Sequence, residues 1–247
     1  MKKVTVLEQA KDALRAIPGL VTAVFILSIV MMNLLANKSI FNAPWLAATA
    51  GVFVSWISFL CMDSVCKRFG YKAATVLNTV AMLINLGAAI LMMLIVKVPG
   101  IWAASFAAET PEIANAINIG IDTTFASSWY IVIGSALAMF LGGVVNNVMN
   151  NIVGVKLDNQ GTYTEFALRS VISTALGQMT DNLVFGFFVS YFFFGWTLKQ
   201  VIMCSFFMML LELAFEVVFT PIGYKVSTMW KEEKVGEEYI KKYNVAE

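Results

Sequence analysis

The chain has 247 residues, of which 59% are hydrophobic and only 13% charged, against roughly 25% charged in ordinary soluble domains. That excludes an ordinary globular protein and indicates an integral membrane protein, whose apolar runs at about 20 residues per span leave little chain for a separate soluble domain. A formal net charge of +1 offers no general attraction for nucleic acid, and a chain without histidine has no zinc-protease helix, Ser/His dyad, histidine metal cage or histidine proton relay.

The segment VLEQAKDALRAIPG alternates polar and apolar groups at helical spacing and is predicted to be an interfacial helix that ends near Pro18. It is too charged for a cleaved signal. Apolar windows then recur at 17–36, 45–62, 73–96, 126–148, 166–195 and 200–222. They predict an all-α, polytopic membrane protein with six transmembrane helices. With the N-terminus inside, fourteen of the seventeen Lys and Arg residues fall on the cytoplasmic side, and only Lys38, Lys97 and Lys199 on the outer. This bias puts both termini in the cytoplasm and suits a multi-pass protein of the cell inner membrane.

The long outer connection, 97–125, contains PEIANAINIG, predicted as a short amphipathic helix on the outer surface. The last twenty residues carry charges of both signs and read as a solvated helical tail. The expected organisation is a cytoplasmic interfacial segment at 1–16, a six-helix transmembrane domain at 17–222 and a charged cytoplasmic tail at 223–247. Cys61, Cys66 and Cys204 show no paired spacing and are expected to be packing residues. No metal site and no cofactor is expected.

A charged side chain near the bilayer centre costs about 2.5–3.5 kcal/mol on insertion scales, so one that persists faces a partner, a cavity or a ligand. The exceptions to the apolar pattern are Asp63, Arg169, Asp181, Glu212 and Glu216, with the amides Asn33, Asn37, Asn78, Asn85, Asn146, Asn147, Asn150, Asn151, Gln178 and Asn182. Counted from an outer turn near Trp196 and Thr197, Asp181 and Glu212 both lie about 22–24 Å inward, at one level. Glu216 follows Glu212 by one turn on the same face, and Gln178 shares the face of Asp181. Arg169 lies about 18 Å from Asp181 toward the cytoplasm. It is expected to meet Glu216, Asp63 or a backbone carbonyl instead.

Several carboxylates in one layer form an ion or proton site, or a recognition site for a ligand with paired N–H donors. Phe185, Phe215 and Phe219 lie near that level and suit stacking on a flat ring, or packing. NNVMNN, 146–151, reads either as a polar-capped helix end or as a wall of a translocation path. Asn33 and Asn37 stack on one face and are suited to a ligand or another helix. Thr220 and Pro221 read as a helix stop.

These polar residues resemble the queuosine precursor transporter family of the vitamin uptake transporters. Asn33 to Lys38, NLLANK, is similar to that family's Asn-x-x-Ala-x-Lys end of the first span. RSVISTALGQMTDNLVF, from Arg169 to Phe185, is similar to its fifth span, and Glu216 with Thr220 and Pro221 to its Glu-x-x-x-Thr-Pro ending. DSVCKRFGYK keeps Asp63, Phe69 and Gly70 but has Lys67 where the family has an acid, a departure that bears on ligand and coupling. The resemblance implies uptake of a 7-deazapurine: the cyano or aminomethyl deazaguanine precursor, or queuine. On this reading Asn33, Asn37, Gln178, Asp181, Phe185, Glu212 and Glu216 bind substrate, while Asp63, Arg169, Asn147 and Thr220 are gating or structural polar residues. The expected partners are that small molecule and the lipid bilayer, with no nucleic acid. A homodimer would use small-residue faces such as Gly142 and Gly143.

The first rival is the substrate-binding membrane subunit of an energy-coupling-factor importer, which would draw on ATP through a partner, since the chain has no Gly-x-x-x-x-Gly-Lys loop. An intramembrane enzyme is disfavoured by the lack of histidine, of a Gly-x-Ser-x-Gly elbow and of a Gly-x-Gly-Asp setting for Asp63 or Asp181. A purely structural subunit would leave the midplane acids unexplained.

Overall fold

The computed structural model describes residues 5–43, 46–102, 110–126, 129–157, 161–192 and 195–245. Helix α1, Val6–Ala16, starts at a capping box in which Thr5 and Glu8 satisfy each other's backbone N–H groups. Pro18 separates it from α2, Gly19–Leu35, and the two axes meet at 102°. An antiparallel pair follows, β1 Ser39–Ala43 and β2 Leu46–Thr49. The apolar window that opens at 45 is therefore not helical throughout: its first residues form a strand, with Leu46 and Ala48 buried, and helix begins at Val52. Small apolar residues in so short a run read equally as strand or helix until a pairing partner is known.

Helix α3, Val52–Ile95, is interrupted at Gly70, where φ is 81° and ψ 162°. An L side chain rarely adopts that φ. The two halves double back on each other, because both ends of α3 reach the C-terminal end of α2. A Cβ on Gly51 would lie 2.8 Å from the Met32 carbonyl oxygen, while Asn85 and Met92 share a cavity with Asn33 and Asn37. The break falls between the predicted windows 45–62 and 73–96.

Beyond it come α4, Pro111–Ala126, which contains PEIANAINIG, then α5, Trp129–Lys156, and α6, Tyr163–Phe185. A π-helical segment, Gly186–Tyr191, prolongs α6. Helix α7, Leu198–Glu232, and α8, Glu237–Tyr243, complete the described chain. Among the described residues α3, α5 and α7 are long and apolar enough to cross a membrane, with a fourth crossing if α1 and α2 count as one bent span. Among the described residues the chain is an all-α membrane protein with one small antiparallel strand pair.

Two helix ends differ from expectation. NNVMNN lies inside α5, which continues to Lys156, and Asn146, Asn147 and Asn150 are buried. Amides favour helix ends in water, but here the neighbouring helices supply their partners. Helix α7 likewise runs through Pro221, and the Thr220 hydroxyl donates to the Glu216 carbonyl at 2.7 Å. Side-chain bonds of this kind let a membrane helix carry a proline without stopping. Cys61, Cys66 and Cys204 are free and buried, as packing residues.

The tail is docked rather than solvated. Tyr239 and Ile240 of α8 are buried, Arg68 Nε donates to the Val235 carbonyl at 3.1 Å, and the Phe69 and Trp230 rings lie 5.8 Å apart. Lys242 Nζ and the Tyr243 hydroxyl both reach Asp12 Oδ2, at 2.6 and 2.9 Å. The Lys242 and Tyr243 hydrogen bonds hold the Asp12 carboxyl below its usual range. A depressed acid stabilises the docked tail above its unfolded pKa of about 3.9 and loses that contribution as pH falls through the folded value. Asp12→Asn at neutral pH is therefore expected to speed amide hydrogen exchange in 237–243 and leave α5 unchanged. Equal protection in the two proteins would show that Asp12 does not hold the tail.

Candidate functional site

Helix α6 turns Glu165, Phe166, Arg169, Ser170, Ser173, Thr174, Gly177 and Gln178 inward, so one face is almost wholly small or polar. Helix α5 lies against it without side chains between the backbones: a Cβ on Gly142 would be 2.8 Å from both Asp181 Cβ and the Gly177 carbonyl oxygen. Gly143 faces the Asn78 amide. The small-residue face suggested for a homodimer is thus occupied within the chain.

Asp63, wholly buried on α3, is the centre of the polar core. Asn146 Nδ2 donates to Oδ1 at 2.8 Å and Ser173 Oγ at 3.3 Å, while Ser170 Oγ and, at 3.3 Å, Thr174 Oγ1 reach Oδ2. A carboxylate has about four acceptor positions, and four donor groups stand around this one, although the Ser173 hydroxyl is also 3.1 Å from the Ser170 carbonyl. Ser170 Oγ also lies 2.7 Å from Glu216 Oε1 on α7.

Glu165 forms the second cluster. It pairs with Lys67 across helices and with Arg169 Nη1 at 2.9 Å, and Arg169 Nε donates to Asn150 Oδ1 at 2.9 Å. Asn150 passes the chain on to Ser173, 3.2 Å away. Arg169 therefore bonds to Glu165 and Asn150 rather than to Glu216, and Lys67 is matched by an acid from another helix. Asn147 donates to Thr75 Oγ1 at 3.4 Å, and its carbonyl accepts from the Cys66 thiol.

The predicted substrate residues separate into three places. Gln178 and Glu216 are buried in the polar core, with Gln178 Nε2 and Glu216 Oε2 lacking partners there. Asn33 and Asn37 line a cavity of about 80 Å³ with Asn85, Met92 and Phe125; Asn33 Oδ1 accepts from Ser135 at 2.6 Å. Phe185 lines a third place, a cavity of about 210 Å³ with Asn182, Ser190, Trp196, Ser205 and Met208. Asn182 Nδ2 donates at 3.1 Å to Oε2 of Glu212, which is buried and is not among the lining residues. Asp181 is half-buried beside Gly142 of α5 and near enough to Glu212 to interact with its charge, while its neighbour Asn182 makes the hydrogen bond to α7.

Phe215 and Phe219 do not cover this cavity. They stack on Trp56 of α3, Phe219 at 3.9 Å between centroids and 10° between planes. The sequence reading did not single out Glu165, and it held Ser170, Ser173 and Thr174 only as part of the fifth-span string, with no role. A signal existed for each: Glu165 precedes Arg169 by four, the spacing of a helical ion pair, and the small polar residues recur at threes and fours along one face.

Residues 49–226 match the sequence profile of a family described as "Putative vitamin uptake transporter". No curated protein and no solved structure matches the chain.

Proposed function

The chain belongs to the vitamin uptake transporter family, and on that premise we propose that it imports a 7-deazaguanine precursor of queuosine, or queuine, for tRNA modification salvage. It crosses the cell inner membrane six times with both termini cytoplasmic: α2, the two halves of α3, α5, α6 and α7. In support, α3 at about 1.5 Å per residue is twice as long as a bilayer core of about 30 Å, and it doubles back at Gly70. The distribution of Lys and Arg gives the orientation.

The observation that supports the substrate is Asn182, which lines the cavity beside Phe185 and Trp196 and is hydrogen-bonded to the buried Glu212. A deazaguanine has a ring N–H and an exocyclic amine side by side, the donor pair that one carboxylate accepts in parallel. On this reading Asn182 moves its amide aside, the ligand takes its place on Glu212, and Phe185 covers the ring. The cavity is small beside the roughly 300 Å³ at which drug-sized pockets begin, which suits a ligand of one or two rings. Glu216, sealed in the core, does not read the substrate, and Lys67 paired with Glu165 leaves the substrate edge unchanged.

Titration of the purified protein with guanine, queuine and the two bacterial deazaguanine precursors tests this. One deazapurine at a hundred times its Kd is expected to stabilise the fold by about 2.7 kcal/mol, and Glu212→Gln to abolish the shift because a donor then faces a donor. Absence of a shift with every deazapurine would overturn the substrate. Uptake by the purified chain in vesicles without nucleotide would exclude the energy-coupling-factor alternative.

A further inference from the structure

Ser170 stands between two buried carboxyl groups, touching Asp63 Oδ2 and lying 2.7 Å from Glu216 Oε1. A hydroxyl has one hydrogen to donate. Both contacts are hydrogen bonds only if one acid supplies a hydrogen of its own. Asp63 already accepts from Asn146 and Thr174, with the Ser173 hydrogen shared between it and the Ser170 carbonyl, which suits it to be the ionised partner. Glu216 is wholly buried, and its Oε2 has no partner among the described residues. An ionised carboxylate with a bare oxygen is costly in that setting, whereas a neutral one is tolerated. Lys67 and Arg169 match Glu165 and Asp63 in number, which suits Glu216 to hold its proton; Glu212, one turn along α7, lies outside this count.

We infer that Glu216 is the ion-binding group of the carrier, that the ion is a proton, and that Ser170 relays it to Asp63. Glu216 gives its hydrogen to Ser170 Oγ as the hydrogen of Ser170 passes to Asp63; acid and carboxylate exchange roles, and nothing else is consumed. The groups that face Glu216 are Asp63 and the Cys61 thiol from α3, Ser170 from α6, and Glu212 one turn along α7. Arg169, further along α6, is turned to Glu165 and Asn150. A metal cation would need several oxygens turned on one point; here the hydroxyls and the Asn146 amide act as donors to Asp63. Glu212 belongs to the proposed substrate site and shares a helix face with Glu216 at a spacing of four. Negative charge on Glu212 disfavours a second charge one turn away, which links substrate and proton occupancy.

This inference rests on the carrier reading, so its test has one arm that needs no substrate. Infrared difference spectra of the purified protein at neutral pH are expected to show a carboxylic-acid C=O band that Glu216→Gln removes and Asp63→Asn leaves. In vesicles, a gradient of one pH unit is worth about tenfold accumulation per proton carried. Wild type is expected to accumulate the deazapurine to that extent. Glu216→Gln, which mimics the protonated acid, is expected to exchange substrate without accumulating it. The same acid band in Glu216→Gln and wild type, or accumulation that follows a sodium gradient at equal pH, overturns the proposal. If wild type moves no deazapurine, loss of the band in Glu216→Gln keeps the proton site while the substrate reading falls.

Discussion

Glu165→Ala is expected to lower the unfolding free energy of the detergent-solubilised protein by about 3–5 kcal/mol, the usual cost of stranding buried charge. Glu165 lies between Lys67 and Arg169, and all three side chains are largely shielded, with relative exposures of 2%, 14% and 5%. Solvent therefore screens little of the repulsion left when the acid is removed. Lys67→Met separates the charge effect from a general loss of packing. It leaves Glu165 bonded to Arg169, and Arg169 to Asn150, and is expected to cost much less. Equal losses in the two variants, measured by denaturant unfolding, would mean that the three side chains do not act as a charge cluster.

That cluster also marks where sequence reasoning stops. The cost of burying charge singled out Arg169, but the identity of its partner depends on which helix lies opposite. Glu165 stands in the N-terminal turn of α6, where an acid needs no partner to be explained. The apolar windows located the helices because a bilayer selects for long apolar runs, whatever their neighbours. The strand at Leu46–Thr49 was hidden because a run of four residues, LAAT, is too short to display a period. The continuation of α5 past Asn146 and of α7 past Pro221 follows from bonds between helices, which no single helix displays. For the same reason Asp63 and Glu216 were legible as buried acids, whereas the hydroxyl joining them was not. Asn33 and Asn37 share a helix face, yet the bundle places them at a cavity away from Glu212.

The second large effect is expected at Gly142. Alanine there puts a methyl group 2.8 Å from a backbone carbonyl oxygen and from Asp181 Cβ, neither of which is the free end of a flexible chain. Helices α5 and α6 must separate, and the expected loss is about 1–3 kcal/mol, despite alanine's better helix propensity. At Gly87, in α3, a Cβ would have nothing within 4 Å, so Gly87→Ala is expected to be neutral or to gain up to about 1 kcal/mol. Thermal unfolding of the two variants side by side separates close backbone approach from propensity. Like shifts in both would remove the argument.

The bend at Gly70 is covered by chain made much later. Arg68 is bonded to Val235 across 167 residues, and Val245 lies against the space where a Cβ on Gly70 would be. At about 5–20 residues per second, synthesis leaves that bend uncovered for roughly ten to thirty seconds. Throughout that interval Phe69 lacks the Trp230 ring that lies 5.8 Å from it in the folded chain, so the corner at Gly70 closes only when synthesis is nearly finished.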